Sequence, residues 1–176
     1  KEKIAEEQSK ELKQLVRLRT KRKLLDLLYK ECVFEVPKKM LQSEFDAIWA
    51  QYEEQANADK ETKKSSKSNV KKLKEEYMEI ATRRVRLGLL MSEIGKENNI
   101  QINQEDINQA ITAEAKKYPG EEKKITEYLK NNKEAMQQIS APLYEEKVVD
   151  FIFEMIKFSD KKVSSEELMK ILETET

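Results

Sequence analysis

The sequence predicts an all-α protein built from long helices that leave much of their surface in water. Three observations lead there. Only three Gly and three Pro interrupt 176 residues, and these are the residues that cost a helix most. Charged side chains make up 39% of the chain and hydrophobic ones 38%, too little apolar material for a thick compact core at this length. Apolar residues nevertheless recur at the helical period, which separates this chain from a disordered one of similar composition.

The first helix is expected over Glu2 to Glu31, where Ile4, Leu12, Leu15, Val16, Leu24, Leu27 and Leu28 recur near helical spacing. At about 1.5 Å per residue it spans roughly 45 Å. Cys32 to Pro37 is short, apolar and extended, because Pro37 holds Val36 out of the helical region and suits the first turn of a new helix. That second helix runs to about Ala58, with Met40, Leu41, Phe45, Ile48, Trp49 and Tyr52 as its apolar stripe. Asp59 to Asn69 is polar and low in complexity and reads as a flexible loop.

A second long helix is expected over Val70 to Asn98, carrying Leu73, Tyr77, Ile80, Ala81, Val85, Leu87, Leu89, Leu90, Met91 and Ile94. Gly88 inside it would admit a close neighbouring backbone, and Gly95 weakens its end. Asn103 suits the N-cap of a helix reaching about Lys117. Tyr118-Pro119-Gly120 forms a turn, and a helix with Ile125, Tyr128 and Leu129 follows from Glu121 to Lys130. The next, from Lys133 to Lys157, bears Met136, Ile139, Leu143, Val148, Phe151, Ile152 and Met155 and is expected to kink or break before Pro142. Ser164 with Glu167 three residues later is a capping box opening a last helix to about Leu172.

Chemistry is scarce. The chain has no His and one Cys, which removes Ser-His-Asp and Cys-His catalysis and the common zinc sites. Cys32 reads as a small buried hydrophobe. No glycine-rich phosphate loop exists. Paired carboxylates such as Glu75/Glu76 and Glu145/Glu146 read as solvated or in i, i+4 ion pairs. No enzyme activity, cofactor or metal is therefore expected. Formal net charge is zero, which speaks against direct nucleic-acid binding, and no apolar run approaches the length of a membrane span. Arg83, Arg84 and Arg86 form the densest arginine cluster. An anion grip is one reading; ion pairs between helices, beside a buried Val85 stripe, are the favoured one. What remains is apolar and aromatic surface on helices, with six Met among it. Such side chains suit adaptable binding surfaces, although each alone is more often core.

Five strings in one order then carry a resemblance across nearly the whole chain. Phe34-Glu35-Val36-Pro37 with Leu41 resembles an F-x-[VL]-P lead into a helix. Arg83-Arg84-Val85-Arg86-Leu87-Gly88-Leu89-Leu90 with Glu93-Ile94 is similar to RRVxLGLLxxEI. Tyr118-Pro119-Gly120, Ala141-Pro142-Leu143-Tyr144-Glu145-Glu146-Lys147-Val148-Val149-Asp150 and Lys161-Lys162-Val163-Ser164-Ser165-Glu166-Glu167-Leu168 complete the series. Together they resemble the C-terminal domain of bacterial trigger factor.

The resemblance implies one domain over residues 1–176, elongated, with two protruding helical arms in a fold shared with SurA-like peptide-binding chaperones. Residues 1–31 would lead out of a prolyl isomerase domain that this chain lacks, as it lacks the Gly-Phe-Arg ribosome loop. The chain opens on Lys1 and so reads as part of a longer protein. Residues 32–58 would form the proline-started helix, 59–69 the loop, 70–98 the long helix, 103–157 the arms and 164–172 the terminal helix. The implied function is ATP-independent holding of unfolded or nascent polypeptides in the bacterial cytoplasm, near the ribosome exit. The ribosome would be touched only through the missing N-terminal domain. Family arm sites fall on Val70, Leu73 and Tyr77 and on Tyr118, Ile125 and Tyr128. Met78, Leu129, Phe45 and Trp49, on the same helices, complete the client-binding set. A homodimer through these patches is a further partner. The competing expectations are a helical scaffold without clients and a SurA-like periplasmic chaperone.

Overall fold

A computed structural model describes residues 2–58, 67–159, 163–164, 167–168 and 170–171, with side chains outside 2–8, 57–58 and 67–69. Six helices and no strand occur among the described residues: α1 Glu2–Glu31, α2 Lys38–Ala58, α3 Lys67–Glu97, α4 Gln104–Ala115, α5 Glu122–Asn131 and α6 Lys133–Met155. Most of the expected loop, Asp59 to Ser66, lies outside the described residues. Its last three residues, 67–69, are helical instead. Lys is a good helix former, and Ser and Asn cost only a fraction of a kcal/mol, so a helix already under way absorbs them.

The chain divides into two compact units, one of Lys1–Leu90 with Val163–Thr176 and one of Met91–Lys162. In the first, Leu24, Ile48, Ala81, Val85 and Leu168 are buried. The segment 32–37 carries no regular structure; the Cys32 amide closes α1 on the Leu28 carbonyl at 2.9 Å, and the Leu41 amide opens α2 on the Pro37 carbonyl at 3.0 Å. Cys32 is half-buried rather than buried, because it stands where α1 ends. Ser164 and Glu167 form the expected capping box: the Ser164 amide donates to Glu167 Oε2 at 2.9 Å and the Glu167 amide to Ser164 Oγ at 3.2 Å. Leu168 follows it into the core, while Leu172 lies outside the described residues.

The second unit is a close-packed set of three helices, α4, α5 and α6, each in contact with the other two. Ile111, Leu129 and Ala135 form its centre, with Ile107, Ile125, Met136 and Ile139 packed around them. Each helix supplies residues one turn apart, so one face of each turns inward. Val148 and Val149 are both fully buried. Neighbouring positions lie about 100° apart on a helix, so α6 is covered on more than one side.

The segments between these helices are fixed by local chemistry. α3 stops in a Schellman motif: the Ile100 amide donates to Gly95 O at 2.8 Å and the Asn99 amide to Lys96 O at 3.1 Å. Asn99 takes the left-handed conformation the motif needs, at φ 53°. Asn103 then caps α4 reciprocally with Asp106, accepting from its amide at 2.8 Å. Pro119 and Gly120 make the α4–α5 turn, with Gly120 at φ 88° and the Glu121 amide bonded to Tyr118 O at 3.1 Å. That is the chemistry of a type II turn. Asn132 ends α5 and caps α6, accepting from the amides of Glu134 and Ala135.

Two glycine and proline expectations are corrected. α6 runs unbroken through Pro142. Pro142 and Gln138, whose carbonyl it leaves without an amide partner, are both exposed, so water can take the place of the missing bond. At Gly88 a Cβ would meet nothing, whereas at Gly95 it would overlap the Tyr144 ring. The close approach is therefore at the buried Gly95, and the neighbour is a side chain.

Candidate binding surface

The candidate residues separate into two kinds. In the first unit, Phe45, Trp49 and Tyr52 lie along α2 at three- and four-residue spacing and meet Tyr77 of α3. Trp49 stacks on Phe45 with centroids 6.0 Å apart and meets Tyr77 edge-on at 5.7 Å; Tyr52 lies 5.3 Å from Tyr77. The Lys74 ammonium sits 5.0 Å above the Trp49 ring, whose Nε1 donates to Glu53 Oε1 at 2.7 Å. All four rings are half-buried. Aromatic pairs in such geometry contribute about 0.5–1.5 kcal/mol beyond area burial. This cluster joins α2 to α3. Val70, Leu73 and Met78, also half-buried, lie on the same stretch of α3.

In the second unit the helical period sorts α5 cleanly. Ile125 and Leu129, four apart, face the core, and Leu129 is only 7% exposed. Leu129 is thus a core residue and not a surface site, a correction that its one-turn spacing from Ile125 explains. Tyr128, one position before, points outward and is 57% exposed; Tyr118 at the turn is 48% exposed. The Tyr128 hydroxyl accepts from Asn132 Nδ2 at 3.3 Å.

A patch that the sequence reading counts only in part, through Met155 on the helix stripe, lies at the end of α6 and in the segment after it. Met155, Ile156 and Phe158 are all exposed, Met155 at 73%. Phe158 leans edge-on against Phe153 at 5.4 Å. The signal is present as five apolar residues in six positions, Phe151, Ile152, Phe153, Met155 and Ile156, more than one helix face can bury.

Charges around these residues are largely committed locally. Lys117 pairs with Glu114 at 2.6 Å, which raises the lysine's pKa above its ordinary value. Lys124 pairs with Glu121 at 3.2 Å. Glu122 holds its carboxylate against its own amide and that of Gly120, which lowers its pKa. Asp106 bonds Lys147 of α6 as well as the Asn103 amide, and the lysine chiefly holds its pKa below the ordinary aspartate range.

The arginine cluster follows the ion-pair expectation. Arg83 pairs with Asp26 of α1, and Arg84 with Glu44 of α2 at 3.2 Å. Arg83 and Arg86 both lie over the Tyr29 ring, at 5.3 and 4.7 Å. Arg86 Nε is buried with no hydrogen-bond partner among the described residues, and the same guanidinium lies against the Tyr29 ring. Among the described residues no group of His, Cys, Asp and Glu is arranged to hold a metal, and no helix is long and apolar enough to cross a membrane.

Residues 1–154 match the family model for the bacterial trigger factor protein C-terminus. The chain belongs to that family. It is 46% identical over 167 residues to the trigger factor of Paramagnetospirillum magneticum, covering 95% of this chain and 36% of that protein. It is 46% identical over 159 residues to the trigger factor of Azospirillum brasilense, covering 90% and 36%, and 41% identical over 170 residues to that of Rhodospirillum centenum, covering 95% and 37%. The chain spans little more than a third of the length of these trigger factors. The all-α architecture agrees with the family.

Proposed function

We propose that this chain is the client-holding part of an ATP-independent chaperone that binds unfolded or nascent polypeptides through separated apolar patches. The observation that carries the reading is a set of large apolar side chains left in water: Tyr118, Tyr128, Met155, Ile156 and Phe158. Tyr128 and Met155 stand on α5 and α6 and the other three in the segments that follow α4 and α6, with the charges beside Tyr118 and Tyr128 paired to one another, in a chain of the trigger factor family. Contiguous exposed apolar groups mark a partner surface, whereas single exposed side chains are ordinary.

Binding here is passive. A client segment that covers one of these side chains gains up to about 1.5–3 kcal/mol before entropy is charged against it. Two patches on one client raise apparent affinity through effective concentration. Release then follows from weak individual contacts and from the client's own folding. The work fits a bacterial cytoplasm and a site near the ribosome exit, with ribosome docking and prolyl isomerisation carried by parts of the longer protein. Val70, Leu73, Met78 and the ring cluster of α2 and α3 serve first as packing in this reading and offer only their exposed edges to a client.

The test is the affinity for an unfolded, non-aggregating polypeptide of Tyr118→Ser/Tyr128→Ser/Phe158→Ser. All three side chains are exposed, so helicity by circular dichroism is expected to hold. Dissociation constants are expected to rise about tenfold or more, since about 1.4 kcal/mol is one decade. Unchanged affinity would leave a scaffold without clients as the better account.

A further inference from the structure

The whole chain is neutral, yet its charge is not evenly spread. Between Lys13 and Lys23, α1 carries Lys13, Arg17, Arg19, Lys21, Arg22 and Lys23 with no acidic residue among them. The rest of the chain is acidic by the same amount. A phosphate polymer would therefore be repelled on average and drawn to one stretch of one helix.

We infer that this basic stretch of α1 is a docking site for the phosphate backbone of a nucleic acid, bound without sequence preference. Lys10, Lys13, Arg17 and Lys21 follow one another at three- and four-residue steps and so share one side of the helix, about one turn apart. That makes a row of cations at roughly 5 Å intervals. Lys10, Lys13, Arg17, Arg22 and Lys23 are exposed. Arg17, Arg19, Lys21 and Lys23 also hold contacts within the protein, so a phosphate shares or exchanges those partners.

The stretch has no aromatic residue to stack a base. Readout is confined to phosphates. An anionic lipid surface fits less well. Val16 and Leu18, the exposed apolar residues of the stretch, are two positions apart and so lie on nearly opposite sides of the helix. Arg22 projects away from Lys13 and Arg17. No single apolar face exists to sink into a bilayer.

The test is fluorescence anisotropy of the 176-residue chain with a labelled single-stranded oligouridylate of about 20 nucleotides. Four phosphate contacts predict a log–log salt slope near −3, from about −0.7 per contact. Lys13→Gln/Arg17→Gln/Lys21→Gln should cut the slope by about 2 and weaken binding more than tenfold at low salt. Lys13→Arg/Lys21→Arg should bind as the parent does, and oligocytidylate should bind as oligouridylate does. Circular dichroism and a urea melt on each variant separate lost charge from lost fold. As a control for bulk charge, Lys72→Gln/Lys116→Gln/Lys123→Gln removes three exposed cations elsewhere and should leave affinity unchanged within twofold. No binding at low salt, an equal loss in that control, or binding to phosphatidylserine vesicles in place of RNA would overturn the inference.

Discussion

Gly95 and Gly88 lie seven residues apart in α3 and answer to different constraints. Gly95 is buried against the Tyr144 ring, where a methyl group has no room. Gly95→Ala is expected to destabilise the second unit by about 1–3 kcal/mol, the usual cost of overpacking, measurable by urea unfolding. Gly88 is exposed and faces open space, so Gly88→Ala should stabilise α3 by about 0.5–1 kcal/mol through helix propensity alone. Asp106 is the other residue on which much converges, since it caps α4 and holds Lys147 of α6. Its pKa is lowered in the folded protein. The stability it adds is therefore present above the ordinary aspartate range, about pH 4, and is lost as pH falls through the depressed value. Asp106→Asn should lower the melting temperature at neutral pH and remove part of the acid sensitivity. A parallel fall in both proteins on acidification would contradict that role.

At the scale of elements, most of the fold is legible in the helical period of the sequence. The period marks five of the helices and the inward positions Ile125 and Ile139, while α4 is marked by its Asn103 cap, because one buried stripe per helix is all that a three-helix unit requires. The capping signals of Asn103 and Ser164 are equally legible, since they depend on neighbours three residues away. What stays hidden in the sequence depends on which helix lies opposite. Leu129 and Tyr128 are both large and apolar, and only the packing of α4 and α6 makes one core and the other surface. Tyr77 is a client residue only by the family resemblance; its ring packs against Trp49 and Tyr52. Tyr77→Ala is accordingly expected to loosen α2 from α3 and to cost about 2–4 kcal/mol, by analogy with other large-to-small aromatic changes at half-buried sites. Ser164→Ala should cost about 1 kcal/mol by removing one cap; both are read from chemical unfolding curves.

For the whole molecule, composition and function agree in physical terms. A chain with 39% charged residues sets its uncovered apolar side chains among strongly hydrated groups of both signs, which keeps each apolar patch small. The exposed residues at the α4–α5 turn and at the end of α6 are therefore sustainable as binding patches and need not be aggregation sites. Zero net charge, read as an average, points away from nucleic acid; the order of charges along α1 points towards it. Averages carry no position, and position is what a partner meets.

The most direct test of the central claim is an NMR titration of the chain with an unfolded, non-aggregating polypeptide, followed at the amides and side chains of Tyr118, Tyr128, Met155 and Phe158. The account predicts shifts or line broadening at both patches, saturating together on one client long enough to reach both, with Leu129 and Val148 unmoved. Resonances that stay in place at client concentrations far above that of the chain would contradict it, and would make this chain a helical scaffold without clients of its own.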